Sequence, residues 1–205
     1  MLYIKLLTKE IKYRLGLLVV SAIAFTIMFY FNGYTIGKNE YLYMLFALAA
    51  CAVIFSEDEK DFLIVGHIQL GRIFVFRFIA SFLSVTVVPA CIILFFTKER
   101  RPLKAVFAFA VTVLIIAAIG AFFRVILKST LASMIFSLIT FTILMFSTEI
   151  GEFSPFSSMS IANIETFYWN RGVWLSVSAI LIGVSYLILG RQDRFRKIFF
   201  LKNKR

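Results

Sequence analysis

The chain has 205 residues, of which 61% are hydrophobic and only 16% charged, with a mean hydropathy of +0.92 and a formal net charge of +11. Water-soluble domains are about half apolar and carry about 25% charged residues, so a soluble globular core is excluded. The charges cluster between long apolar runs, which is the pattern of an integral membrane protein.

Residues 1–14 are basic. On a helix, Lys5, Thr8, Lys9 and Lys12 share one face, with Ile4, Leu7 and Ile11 opposite. This predicts an interfacial helix with its apolar side in the acyl boundary, or a basic flank that fixes topology. Six apolar runs follow: Leu15–Phe31, Tyr41–Phe55, Ile73–Phe96, Ala105–Phe123, Thr130–Phe146 and Gly172–Leu189. A span needs about 17–25 apolar residues. The second run is the shortest, at 15 residues, with Tyr41 and Tyr43 placed to anchor it at an interface. The runs are continuous, without the two-residue alternation of a transmembrane barrel. Ala22-Ile23-Ala24 mimics a signal cleavage site but lies inside the first run, which predicts a retained span. The predicted fold is therefore an all-α polytopic membrane protein with six transmembrane helices in a single domain.

Between the second and third runs stands Ser56–Arg72, SEDEKDFLIVGHIQLGR. A turn between two spans needs only a few polar residues. Here five charges are packed together and an amphipathic stretch follows, which points to a surface built for something outside the bilayer. The acidic edge is Glu57, Asp58, Glu59 and Asp61; Phe62–Leu70 is the candidate helix; Arg72 and Arg77 mark the return to the membrane. A charge at a helix centre costs about 2.5–3.5 kcal/mol on insertion scales, so Arg77, near the end of its run, is expected to snorkel to the head groups or to pair with the acidic cluster. Pro89 removes a backbone donor within the third run and predicts a kink. Cys51 and Cys91 lie in apolar runs without metal-site spacing and read as small buried hydrophobes. Small residues four apart at Ala117–Ala121 and Ala179–Gly183 would let helices pack closely.

Thr97–Lys104, TKERRPLK, carries four basic residues between the third and fourth runs. It reads as electrostatic docking to anionic lipid, as a basic ring that meets an anionic substrate at an exit, or as a sign that the second run is not a span and the loop lies on the other side. Glu149–Arg171 is a longer loop rich in aromatics, with Phe153, Phe156, Phe167, Tyr168 and Trp169. It reads as an outer gate dipping into the interface, or as an aromatic belt. The tail Arg191–Arg205 holds seven basic residues against one acid, which suits the anionic inner leaflet; nucleic acid is not expected as a partner.

With six spans and both termini cytoplasmic, sixteen Lys and Arg residues fall inside and six outside, as the positive-inside rule requires. The 56–72 segment is then cytosolic and 149–171 extracellular. The apolar runs hold no carboxylate or histidine, and His67 is the only histidine. That speaks against an ion-coupled transporter or an intramembrane enzyme. Gly33–Lys38 superficially resembles a phosphate loop, but it is one residue short between its glycines and lacks the Ser or Thr after the lysine. No metal or cofactor is expected on this chain.

Six spans, a basic amphipathic start, a charged cytosolic segment after span two and a longer outer loop before span six resemble the permease subunit of ABC exporters of the type-2 family. Ser56, Glu57 and Glu59, then Leu63–Val65, then Gly71-Arg72 are similar to the family's connection between spans two and three, and Gly190-Arg191-Gln192-Asp193 to its polar turn after span six. Asp61-Phe62 stands where members often have Gly-Thr, and the Pro before the span-three Arg is missing. The resemblance implies a coupling helix within Glu57–Arg72, with Glu57, Asp58, Glu59, Asp61, Phe62, His67 and Arg72 as its contact residues. These would dock on a cytosolic ABC ATPase subunit that carries the ATP and Mg. It also implies a second permease subunit, identical or related, and a bacterial plasma-membrane location. The cargo expected from the apolar spans is hydrophobic or amphipathic, a peptide or a lipid-like molecule. A small polytopic solute-binding or immunity protein without an ATPase is the alternative.

Overall fold

The computed structural model describes residues 2–31, 47–48, 70–98, 100–146 and 164–202. Among the described residues five helices are delimited, α1 (Leu2–Phe31), α2 (Leu70–Phe96), α3 (Pro102–Leu127), α4 (Thr130–Phe146) and α5 (Ile164–Lys202), and no strand occurs. Among the described residues three stretches are long and apolar enough to cross a membrane: α2, α3 and Phe167–Gln192 of α5. Leu18–Phe31 and Thr130–Leu144 are shorter apolar helices. The chain is a membrane-inserted helical protein.

In a bilayer every backbone N–H and C=O must be satisfied within the segment, which forces the apolar runs into helices. Lipid tails are as apolar as leucine, so close packing must hold the helices together. α3 supplies the packing surface. It lies against α2, α4 and α5, and its Ala117, Ala118 and Ala121 are all buried. These small side chains admit Phe74 and Phe78 from α2 and Leu189 from α5 into one cluster. A second cluster joins Phe25 and Phe29 of α1 to Val85 and Ile93 of α2, Phe109, Ile115 and Ile116 of α3, and Ala47. Phe25 stacks on Phe29 at 5.6 Å and meets Phe109 edge-on at 5.3 Å, an arrangement favoured by the ring quadrupoles.

The contacts fix the relative directions of the helices. The Ser21 hydroxyl lies 3.4 Å from the Ser84 carbonyl, and Phe25 lies beside Phe109, one turn pair into α3. α1 and α2 therefore run in the same direction. Gly71 lies against Tyr186, so α2 begins where the apolar part of α5 ends. Lys104 sits by Phe167, and Thr112 by Arg171, so α3 and α5 run parallel.

α3 and α4 are joined by Lys128 and Ser129 alone. Lys128 caps α3 in the left-handed region (φ 55°) and donates its N–H to the Arg124 carbonyl at 3.2 Å. The Ser129 hydroxyl accepts from the Ala132 N–H at 3.4 Å, a position favoured for Ser at a helix start. A lysine held at positive φ is strained, and glycine is the usual residue there. Lys128→Gly is expected to raise stability by about 0.5–1 kcal/mol, read as a higher midpoint in thermal unfolding of the detergent-solubilised chain; an unchanged or lower midpoint would count against the strain.

Several sequence expectations are revised. α1 is continuous from Leu2 to Phe31, with no helix boundary where the interfacial segment 1–14 was to end; its leucines, lysines and glutamate are all good helix formers. α5 begins at Ile164 and runs on to Lys202, so residues 164–171 of the expected loop and most of the basic tail are helical. Cys91 is exposed on α2 and does not lie in the core. Ala117 and Ala121 pack as expected, but nothing approaches Gly183 within 4 Å, and Ala179 is exposed. Of the second run only Ala47 and Leu48 are described, helical and buried.

Candidate functional site

Two regions concentrate the polar chemistry, one at each end of the helical bundle.

At the end where α3 and α5 begin, Phe167 is fully buried and its ring is contacted by two cations. Lys104 Nζ lies 4.2 Å from the ring centroid and the Arg171 guanidinium carbon 5.7 Å. Both are within the about 6 Å range of a cation–π attraction. Phe167 and Arg171 are one helical turn apart and so share a face of α5. Arg171 is only 2% exposed. Its Nη1 donates to Thr112 Oγ1 at 3.0 Å, and that hydroxyl donates in turn to the Ala108 carbonyl at 2.9 Å. Such chained bonds polarise one another. Phe107 lies 6.2 Å from the Phe167 ring, and Tyr168 meets it edge-on at 5.3 Å. The two distances place the cations within about 10 Å of each other. At that separation two unit charges repel by about 1.7 kcal/mol at an effective dielectric of about 20.

At the opposite end Gly71 meets α5. A Cβ on Gly71 would lie 2.7 Å from Tyr186 Cε2 and 2.8 Å from Cδ2, closer than real side chains approach. Leu70 and Leu189 are buried in the same cluster. Arg77 is 3% exposed and faces the bundle, so it does not snorkel along the lipid face. It falls in phase with Phe74, Phe78 and Ser81 on the buried stripe of α2, and that register decides its orientation. Arg124 of α3, half-buried near the same end, follows one turn after the buried Gly120.

Of the expected contact residues, Glu57, Asp58, Glu59, Asp61, Phe62 and His67 lie outside the described residues, and Arg72 is exposed at the start of α2. Of the expected gate, Phe153 and Phe156 lie outside the described residues. The remaining three divide: Phe167 is buried at the cation cluster, while Tyr168 (62%) and Trp169 (68%) are exposed. Sequence reasoning missed Arg171 and Thr112 as partners. The available signal was spacing, since Phe167, Arg171, Ser178 and Ser185 recur at intervals of four and seven and form the buried seam of α5. The chain's eleven acidic side chains all lie outside those described. Comparison with protein-family models, curated proteins and solved structures found no match to this chain.

Proposed function

We propose that this chain is the membrane-spanning permease subunit of an ATP-driven exporter of the ABC type, working with a separate cytosolic ATPase and a second permease subunit. The observation that carries this reading is the patterned, charge-rich segment 56–72, set in a chain that has no nucleotide-binding motif of its own. A force applied to that segment from outside the bilayer enters α2 at Leu70 and Gly71. Both residues are seated against α5, so the force has a packed route to the far side of the bundle. The shared direction of α1 and α2, with Ala47 and Leu48 buried beside them, supports a returning span between the two and hence six crossings in all. The cargo is hydrophobic or amphipathic.

Affinity-tagged full-length chain extracted in mild detergent is expected to retain an ABC ATPase. Glu57→Lys with Glu59→Lys is expected to reduce the retained ATPase about tenfold, because the acidic edge is the side offered to the partner. ATPase retention equal to wild type, with transport unchanged, would remove segment 56–72 from the contact. Activity in a membrane lacking any ABC ATPase would remove the exporter reading itself.

A further inference from the structure

We propose that Glu10 of α1 is the carboxylate that balances the buried charge of Arg77 on α2, and that this clasp holds the first turns of α1 upright against α2. The clasp needs no ATPase and stands or falls separately from the exporter reading.

Arg77 is only 3% exposed. Arginine keeps its proton in proteins, and a charge taken out of water is stable only when it is paired. The partners that Arg77 keeps therefore include an acid. Helix α2 has none of its own, and Glu10 is the only acid in Leu2–Phe31.

Helix phase and level both select Glu10. The Ser21 hydroxyl of α1 lies 3.4 Å from the Ser84 carbonyl of α2, which fixes the facing sides of the two helices. Arg77 precedes Ser84 by seven residues, about 20° short of two turns at 3.6 residues per turn. On the buried stripe of α2 it therefore holds the edge turned to α1, beside the buried Ile73. Glu10 precedes Ser21 by eleven residues, about 20° past three turns, so it falls on the side of α1 that meets α2. Arg14 falls on the same side, and Lys5, Lys9 and Lys12 on the opposite one. The two helices run in the same direction, so distances below the serine contact can be compared. Arg77 lies about 10.5 Å below it and Glu10 about 16.5 Å, at 1.5 Å per residue. The difference of about 6 Å points toward the N-terminus of α2, the way a helical side chain leans. Arg14 stands level with Arg77, and Glu10 precedes it by four residues, the favourable order for an acid and a base on one helix. One carboxylate thus serves two guanidinium groups. The other acids at this end are farther along the chain. Segment 57–61 ends nine residues before Leu70, which itself precedes Arg77 by seven, and Asp193 lies seven residues beyond the Gly71–Tyr186 crossing.

The same phase places Ile4, Leu7 and Ile11 on the side of α1 that carries the buried Phe25 and Phe29. The apolar stripe expected in the acyl boundary is turned toward the bundle, and α1 runs on through residue 14 without a boundary. Closed, the clasp makes α1 and α2 move together where segment 56–72 enters. Opened, it frees an amphipathic segment suited to the membrane surface.

The test is a double-mutant cycle read by thermal unfolding of the full chain in mild detergent. Glu10→Gln is expected to lower the midpoint by about 6 °C or more, as when one partner of a buried pair is removed. Arg77→Met takes the charge away, and in that background Glu10→Gln is expected to cost at most about a quarter as much. The exchange Glu10→Arg with Arg77→Glu is expected to regain most of what Glu10→Arg alone loses. Where Glu10→Gln does not fold, Glu10→Asp keeps the charge on a shorter stem and runs through the same cycle. An equal cost of the Glu10 substitution in both backgrounds overturns the clasp. So does a cycle in which Asp61→Asn couples to Arg77→Met and Glu10→Gln does not, which assigns Arg77 to segment 57–61.

Discussion

Thr112→Val is expected to destabilise the protein by about 1.5–3 kcal/mol, the range for a hydrogen bond to a charged group. Valine has nearly the shape of threonine but lacks the oxygen that receives Arg171 Nη1 at 3.0 Å. Arg171 is buried, so water cannot simply replace the lost acceptor. Thr112→Ser keeps the hydroxyl and is expected to lose less than about 1 kcal/mol, mostly through the missing methyl. The decisive comparison is Thr112→Val in an Arg171→Met background. With the guanidinium gone, valine leaves no charged donor unmatched, and its cost should fall to a small fraction of the value in the native background. Thermal unfolding of the detergent-solubilised full chain reads all four variants. Equal costs in both backgrounds would show that the hydroxyl serves the α3 backbone alone, through Ala108.

At the other end of the bundle, Gly71→Leu is expected to cost about 1–3 kcal/mol through overpacking and to depress transport. Even a Cβ would stand 2.7 Å from the Tyr186 ring. Tyr186 is 38% exposed and can swing outward for Gly71→Ala, so alanine is expected to be mild. Leucine adds a volume that the ring cannot vacate without separating α2 from α5. Tyr186→Ala opens that space, and the double variant Gly71→Leu/Tyr186→Ala is expected to regain most of the lost stability. Under the exporter reading, Gly71→Leu retains the ATPase but transports poorly. Full transport by Gly71→Leu would place the route between segment 56–72 and the bundle somewhere other than this crossing.

The helices were legible because hydrocarbon leaves a chain little choice: an apolar run of span length becomes a helix. Thr130–Phe146 has the same limits in sequence and structure. The polar ends were harder to read. Helix α5 starts eight residues before its apolar run, because nothing in IETFYWNR prevents a helix and Arg171 finds a neutral acceptor on another segment. Such pairing across 59 positions has no local signature. The snorkelling expected of Arg77 fails for a related reason, while the alternative, pairing with the acidic cluster 57–61, falls on residues outside those described. Distance from the end of a run suggested snorkelling, whereas the phase of Phe74, Phe78 and Ser81 carries it inward. The basic cluster at 97–104 was legible as charge but not as a site, since Phe167 lies far along the chain.

The length of α5 has a mechanical consequence. Its 39 residues extend about 58 Å, nearly twice the about 30 Å hydrocarbon core. The Gly71–Tyr186 crossing sits between its two ends, about 28 Å from Phe167 and about 24 Å from Lys202 at 1.5 Å per residue. α3 holds the same helix at Phe167 and Arg171, so the rod is clamped at two levels about 28 Å apart by the helix rise, and the stretch beyond Tyr186 is the overhang of a beam fixed at its other end.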